Sequence, residues 1–203
     1  VQMTKIILAS NNKNKLREFK ELMRGMDVEL ISQREAGCCF EVEETGTTFE
    51  ENAYLKASAV TAATGCIAIA DDSGLVVDAL NGEPGVYSAR YGPGHDASDS
   101  DRYNYLLNKL GDEPQRSARF VCCICCTLPD GGRITSRGEC EGEILRAPSG
   151  TNGFGYDPVF HPLGQPGSMA ELTPDEKNAI SHRGKALREF MKKFKEHMHG
   201  DNE

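Results

Sequence analysis

Apolar residues along this chain follow two rhythms. Short unbroken runs suit buried strands, and spacings of three and four suit helices with one buried face. Residues 5–9 form a first run through Ile6, Ile7 and Leu8. A polar turn follows, and then Leu16, Phe19, Leu22, Met23 and Met26 recur at helical spacing, predicting a helix from about residue 15. Thr47 and Thr48, with Glu50 and Glu51 three residues on, supply a capping box. Phe49, Ala53, Ala57 and Val60 then make the buried stripe of a second helix that Gly65 ends. Residues 66–70 read as a strand that delivers Asp71, Asp72 and Ser73 to its C-terminal end, with residues 75–80 as a possible continuation. Leu106, Leu107 and Leu110 mark a helix that starts near Ser98 or Ser100 and stops at Gly111.

Residues 119–128, the turn Pro129-Asp130-Gly131-Gly132 and residues 133–144 read as a long hairpin. Thr173 as cap, Pro174 at the first helical position and Glu176 three residues after the cap begin another helix. Beyond Gly184, Leu187, Phe190, Met191, Phe194 and Met198 define a last one, and the polar tail after His199 is expected to be mobile. Strands alternating with helices, plus a hairpin, predict an α/β fold with a mixed sheet. No repeat or linker divides the chain, so residues 1–203 are expected to form a single domain.

The charge narrows the partners. A net charge of -8 argues against a polymeric nucleic acid, which calls for a broad basic surface, whereas a single nucleotide needs only a local cluster of cations. No apolar run approaches the roughly 20 residues that cross a bilayer, and the opening stretch turns polar too soon for a signal-peptide core. A cytoplasmic protein without membrane contact is the expectation. Among the eight cysteines, Cys122, Cys123, Cys125 and Cys126 form overlapping C-x-x-C spacings that could suggest zinc. They lie inside an apolar strand whose neighbouring side chains point to opposite faces, so a structural role is expected.

Candidate chemistry gathers in a few places. Ser10, Asn11, Asn12, Lys13, Asn14 and Lys15 place hydroxyl, amide and ammonium groups at a helix start, a setting suited to polyphosphate, although the Walker A pattern is absent. Asp71 and Asp72 could hold Mg²⁺ and activate water, with Glu44 the best further carboxylate and Glu43 its close competitor. Lys56, on the helix beyond Glu44, could face the same phosphates. Phe154, flanked by Gly153 and Gly155, can stack on a base. His182 and Arg183 can donate to a carbonyl oxygen and so favour a 6-oxopurine over adenine. The histidines have no zinc-hydrolase spacing.

At these residues the chain resembles the inosine triphosphate pyrophosphatase family, which hydrolyses non-standard purine triphosphates such as ITP, dITP and XTP. The resemblance spans nearly the whole chain. It is carried by residues 7–15, by Glu43-Glu44-Thr45-Gly46, by Ala70-Asp71-Asp72-Ser73-Gly74-Leu75, by residues 84–91, by Phe154-Gly155-Tyr156-Asp157-Pro158 and by residues 176–184. It implies a two-lobed α/β protein around a long mixed sheet, the nucleotide in the cleft, a homodimer, and release of pyrophosphate. By the same resemblance Asp72 is the general base and a Mg²⁺ ligand, Glu44 a second metal-linked carboxylate, and Ser73 a substrate contact. Residues 10–15, Lys56, Arg90 and Lys177 hold the phosphates, while Phe154, Gly155, Tyr156, Asp157, His182 and Arg183 surround the base and sugar. The competing readings are a pyrophosphatase for modified pyrimidine triphosphates, a non-catalytic nucleotide sensor, and a zinc or redox protein built on the cysteines.

Overall fold

In the computed structural model, which describes residues 3–200, the strands are β1 (Thr4–Leu8), β2 (Val28–Ser32), β3 (Ile67–Val77), β4 (Ser117–Thr127), β5 (Arg133–Ile144) and β6 (Phe160–Pro162). The helices are α1 (Lys13–Leu22), α2 (Phe49–Thr64), α3 (Asp99–Leu110), α4 (Pro174–Ile180) and α5 (His182–Gly200), joined in places by short 3-10 turns. The sheet runs β2-β1-β3-β4-β5-β6, with β1 parallel to β2 and β3, and β6 antiparallel to β5. It is therefore the mixed α/β arrangement that the patterning predicts. The tail expected to be mobile lies, from residue 201 on, outside the described residues. Among those residues no helix is long and apolar enough to cross a membrane.

Local signals explain most element ends. Thr48 and Glu51 make the reciprocal capping box of α2, and Ser98 with Asp101 and Thr173 with Glu176 do the same for α3 and α4. Helix α1 begins at Lys13, earlier than its apolar spacing suggests, because the Asn12 side chain accepts from the amides of Asn14 and Lys15. Ser181, in extended conformation, closes α4, so α5 opens directly at His182 and carries Arg183 in its first turn.

The chain divides into two units, each with its own core. The first comprises residues up to Asp72, Cys122–Gly138 and those from Gly184 on; the second comprises Ser73–Val121 and Glu139–Arg183. In the first unit, alternation along β1 sends Ile6 and Leu8 to one face, where they meet Phe19, Phe190 and Phe194. It sends Ile7 and Ala9 to the other face, where Ala57 and Val60 of α2 cover them. Strand β3 continues this sorting, with Ile69 on the α1 and α5 face and Ala68 and Ala70 on the α2 face. The second unit centres on Leu75, Leu106, Phe120, Phe160 and Met169.

The cysteine strand obeys the same rule. Cys122 and Cys126 join the core that contains Ile124, whereas the Cys123 thiol lies 3.1 Å from Oε1 of Glu50, a residue of α2. Burial pushes the Cys125 thiol up to about 11 and the Cys126 thiol up to about 12, and it also raises Cys123. Neutral thiols on opposite faces make poor zinc ligands, which bind as thiolates. Cys123→Ala and Cys125→Ala are each expected to lower stability by about 1 kcal/mol or somewhat more in denaturant unfolding, with catalysis little changed at a permissive temperature. Stoichiometric zinc in chelator-washed protein, lost on these substitutions, would contradict the structural role.

Candidate active site

Period-two alternation decides what the acidic pair can do. Strand β3 does not stop at Ala70 as the sequence suggests but runs unbroken through Asp71, Asp72 and Ser73 to Val77. Its parallel pairing with β1 covers Ile67 to Ile69, opposite Ile6 to Leu8, so the carboxylates lie just past the C-terminal end of β1. Adjacent on one strand, they point to opposite faces. Asp71 turns toward α1, where Lys15 Nζ lies 3.1 Å from its Oδ1 and the Cys122 thiol lies 3.8 Å from its Oδ2. Asp72 turns toward α2 and Lys56. Lys15 is thus the near partner of Asp71, and Asp72 is the one grouped with Lys56 and Glu44.

That group is compact. Lys56 Nζ lies 2.7 Å from Glu44 Oε1 and 3.6 Å from Asp72 Oδ1. Burial raises the Asp72 pKa; Lys56 and Lys15 pull it down, Glu44 and Asp71 push it back up, and the net shift is above the ordinary aspartate value. For Lys56, burial opposes the charge, but Asp72, Asp71 and Glu44 outweigh it and the pKa is raised. Asp72 Oδ2 is enclosed and has no hydrogen-bond partner. A buried carboxylate oxygen of this kind calls for a cation or a donor.

The turn before α1 is placed as expected, and several of its amides are engaged within it. Asn12 N donates to Ser10 Oγ at 3.1 Å, and Asn12 Oδ1 takes the Asn14 and Lys15 amides at 2.9 and 3.2 Å. Its side chains of Asn11, Asn12 and Lys13 are exposed. A cavity of about 580 Å³ lies beside it, lined in part by Ser10, Asn11, Asn12, Lys13 and Arg34.

The second unit gathers the aromatic and cationic candidates. Asp157 Oδ2 accepts from the Phe154 amide at 3.0 Å and from Lys177 Nζ at 2.8 Å, a buried ion pair. Gly153 is required there, because a Cβ at that position would come 2.0 Å from the same Oδ2. Lys177 Nζ lies 4.6 Å, and the Arg183 guanidinium 5.8 Å, from the Phe154 ring centroid. Lys177, expected among the phosphate residues, thus stands with the aromatic group. Arg183 Nη2 donates to Ser73 Oγ at 2.9 Å. His182 stacks nearly parallel on Phe120, with centroids 4.7 Å apart and an interplanar angle of 15°. The Tyr156 side chain is buried and its hydroxyl donates to the Ser88 carbonyl at 2.8 Å, so it supports the loop from the core side. The Arg90 guanidinium lies 5.0 Å over the ring of exposed Tyr87.

Sequence reasoning did not single out Asp99, whose Oδ2 accepts from the Gly155 amide at 2.7 Å and so tethers the aromatic loop to the start of α3. Its only sequence signal is its place just after the cap Ser98, which reads as ordinary helix chemistry.

Residues 6–193 match the Ham1 family. The chain belongs to this family. Among relatives, it is similar to a protein of Bacillus anthracis named dITP/XTP pyrophosphatase, 47% identical over 98% of this chain and 100% of that one. A protein of the same name from Nostoc sp. is 51% identical over 95% of each chain. Among solved structures, a HAM1 protein from Coxiella burnetii shares 45% identity with a TM-score of 0.88, covering 96% of this chain and all of that one. The Staphylococcus aureus Ham1 protein shares 44% with a TM-score of 0.87, covering 96% of this chain and 100% of its own.

Proposed function

We propose that this Ham1-family chain is a nucleoside-triphosphate pyrophosphohydrolase that converts non-canonical purine triphosphates, ITP, dITP and XTP, to the monophosphate and pyrophosphate. The observation that carries this reading is buried Asp72, with an unpartnered carboxylate oxygen beside the Lys56–Glu44 pair, in a chain about half identical to proteins named for that activity. Asp72 takes the proton from the attacking water. Lys56, Lys13 and Lys15 meet phosphate charge, as does Arg90, while Ser10, Asn11, Asn12 and Asn14 hydrogen-bond phosphate oxygens. Phe154 stacks on the base, Lys177 and Asp157 fix its loop, and Ser73 with Arg183 and His182 contacts the substrate.

Mg²⁺ fits this donor set, because Asp72 and Glu44 present hard oxygen ligands and a magnesium site usually takes one or two carboxylates along with waters and substrate phosphates. When bound, the ion neutralises charge on the phosphates and makes the attacking water more acidic. A homodimer in the cytoplasm is part of the same proposal. The test is a panel of nucleoside triphosphates with Mg²⁺, in which ITP and XTP should each exceed ATP, GTP and the pyrimidine triphosphates in kcat/KM. A preference for a modified pyrimidine triphosphate would overturn the substrate class, and binding without turnover would make the chain a sensor.

A further inference from the structure

The loop that carries Glu44 is held by the start of α2. The Glu51 carboxylate takes the Thr47 amide at 2.7 Å and the Thr48 amide at 3.3 Å, which is capping chemistry. Asn52, fully buried, does something else: its Oδ1 takes the Gly46 amide at 2.8 Å, two residues from Glu44. The fit is close, since a Cβ on Gly46 would come 2.6 Å from that oxygen and 2.7 Å from Glu51 Cβ. Asn52 and Lys56 are four residues apart on α2 and so share a helix face. One face therefore grips the loop backbone through Asn52 and the Glu44 carboxylate through Lys56. The Asn52 Nδ2 is enclosed with no hydrogen-bond partner. A buried amide that costs desolvation on one side is retained, on this geometry, for the bond it makes on the other.

We infer that Asn52 is a positioning residue that fixes the Gly46 amide and thereby sets the Glu44 carboxylate for the cation. This rests on the proposed metal role of Glu44. The folding effect of Asn52→Leu should be small, because relief of the buried Nδ2 offsets the orphaned Gly46 amide. The test reads nucleotide-free protein by amide hydrogen exchange and Mn²⁺ titration, with Tm as the folding control. In Asn52→Leu the Gly46 amide should exchange at least about tenfold faster and Mn²⁺ should bind about threefold to tenfold more weakly, the factor that one hydrogen bond commands. Asn52→Asp keeps the acceptor and should keep Gly46 slow to exchange. Unchanged Mn²⁺ affinity in a folded Asn52→Leu protein overturns the inference, and so does fast Gly46 exchange in Asn52→Asp. Failure of the wild-type protein to cleave ITP would instead refute the proposed activity and leave these nucleotide-free readouts in place.

Discussion

Asp72→Asn is expected to lower kcat on ITP by roughly 10²- to 10⁴-fold, the range a lost general base commands, and by more if the cation is also lost. The same substitution should raise stability near neutral pH. Burial is the largest influence on Asp72 and leaves its folded pKa above the ordinary value. A raised carboxylate penalises folding once the unfolded chain ionises. The penalty is absent below about pH 4, grows as pH climbs from there to the folded pKa, and is fully present above it. Thermal unfolding should therefore find Asp72→Asn more stable than the parent at pH 7 and no different in strong acid. Near-normal turnover would remove Asp72 from the chemistry. A variant less stable at pH 7 would show that the lysine contacts outweigh burial.

Arg183→Ala is expected to cut kcat/KM for ITP far more than for ATP. A donor set for the oxygen at purine C6 faces another donor when the base is adenine, and a mispaired buried group costs about 1 to 3 kcal/mol. Each 1.4 kcal/mol is about tenfold in kcat/KM, so removing Arg183 should narrow the ITP-to-ATP ratio by roughly tenfold or more. Phe154→Ala should weaken both substrates alike, since any base has a face to stack on. Equal loss on both substrates in Arg183→Ala would assign the residue to Ser73 and the fold, where its 2.9 Å bond already places one nitrogen.

What could be read from the sequence was local chemistry. Caps at Thr48, Ser98 and Thr173 and the alternation through the cysteine strand needed only nearby residues, and they set α2, α3, α4 and the sorting of thiols. Strand β2 escaped notice because Val28–Ser32 is five residues long and only partly buried. The strand end expected at Ala70 follows the apolar run, which stops where the aspartates begin. β3 instead runs on, with Lys15 set against Asp71 and Lys56 near Asp72, both lysines distant in sequence. For the candidate site, the residue types were legible but the partners were not. Nothing near Lys177 announces Asp157, 20 residues away, and nothing near His182 announces the ring of Phe120. The grip of Asn52 on Gly46 was hidden for another reason: an asparagine in the first turn of a helix reads as a solvated side chain until its burial is known.

Product identity at the first turnover separates pyrophosphate release from stepwise loss of orthophosphate. With ITP and Mg²⁺, one IMP and one pyrophosphate are expected per ITP consumed, with no IDP at any time. Initial release of orthophosphate with accumulation of IDP would contradict it.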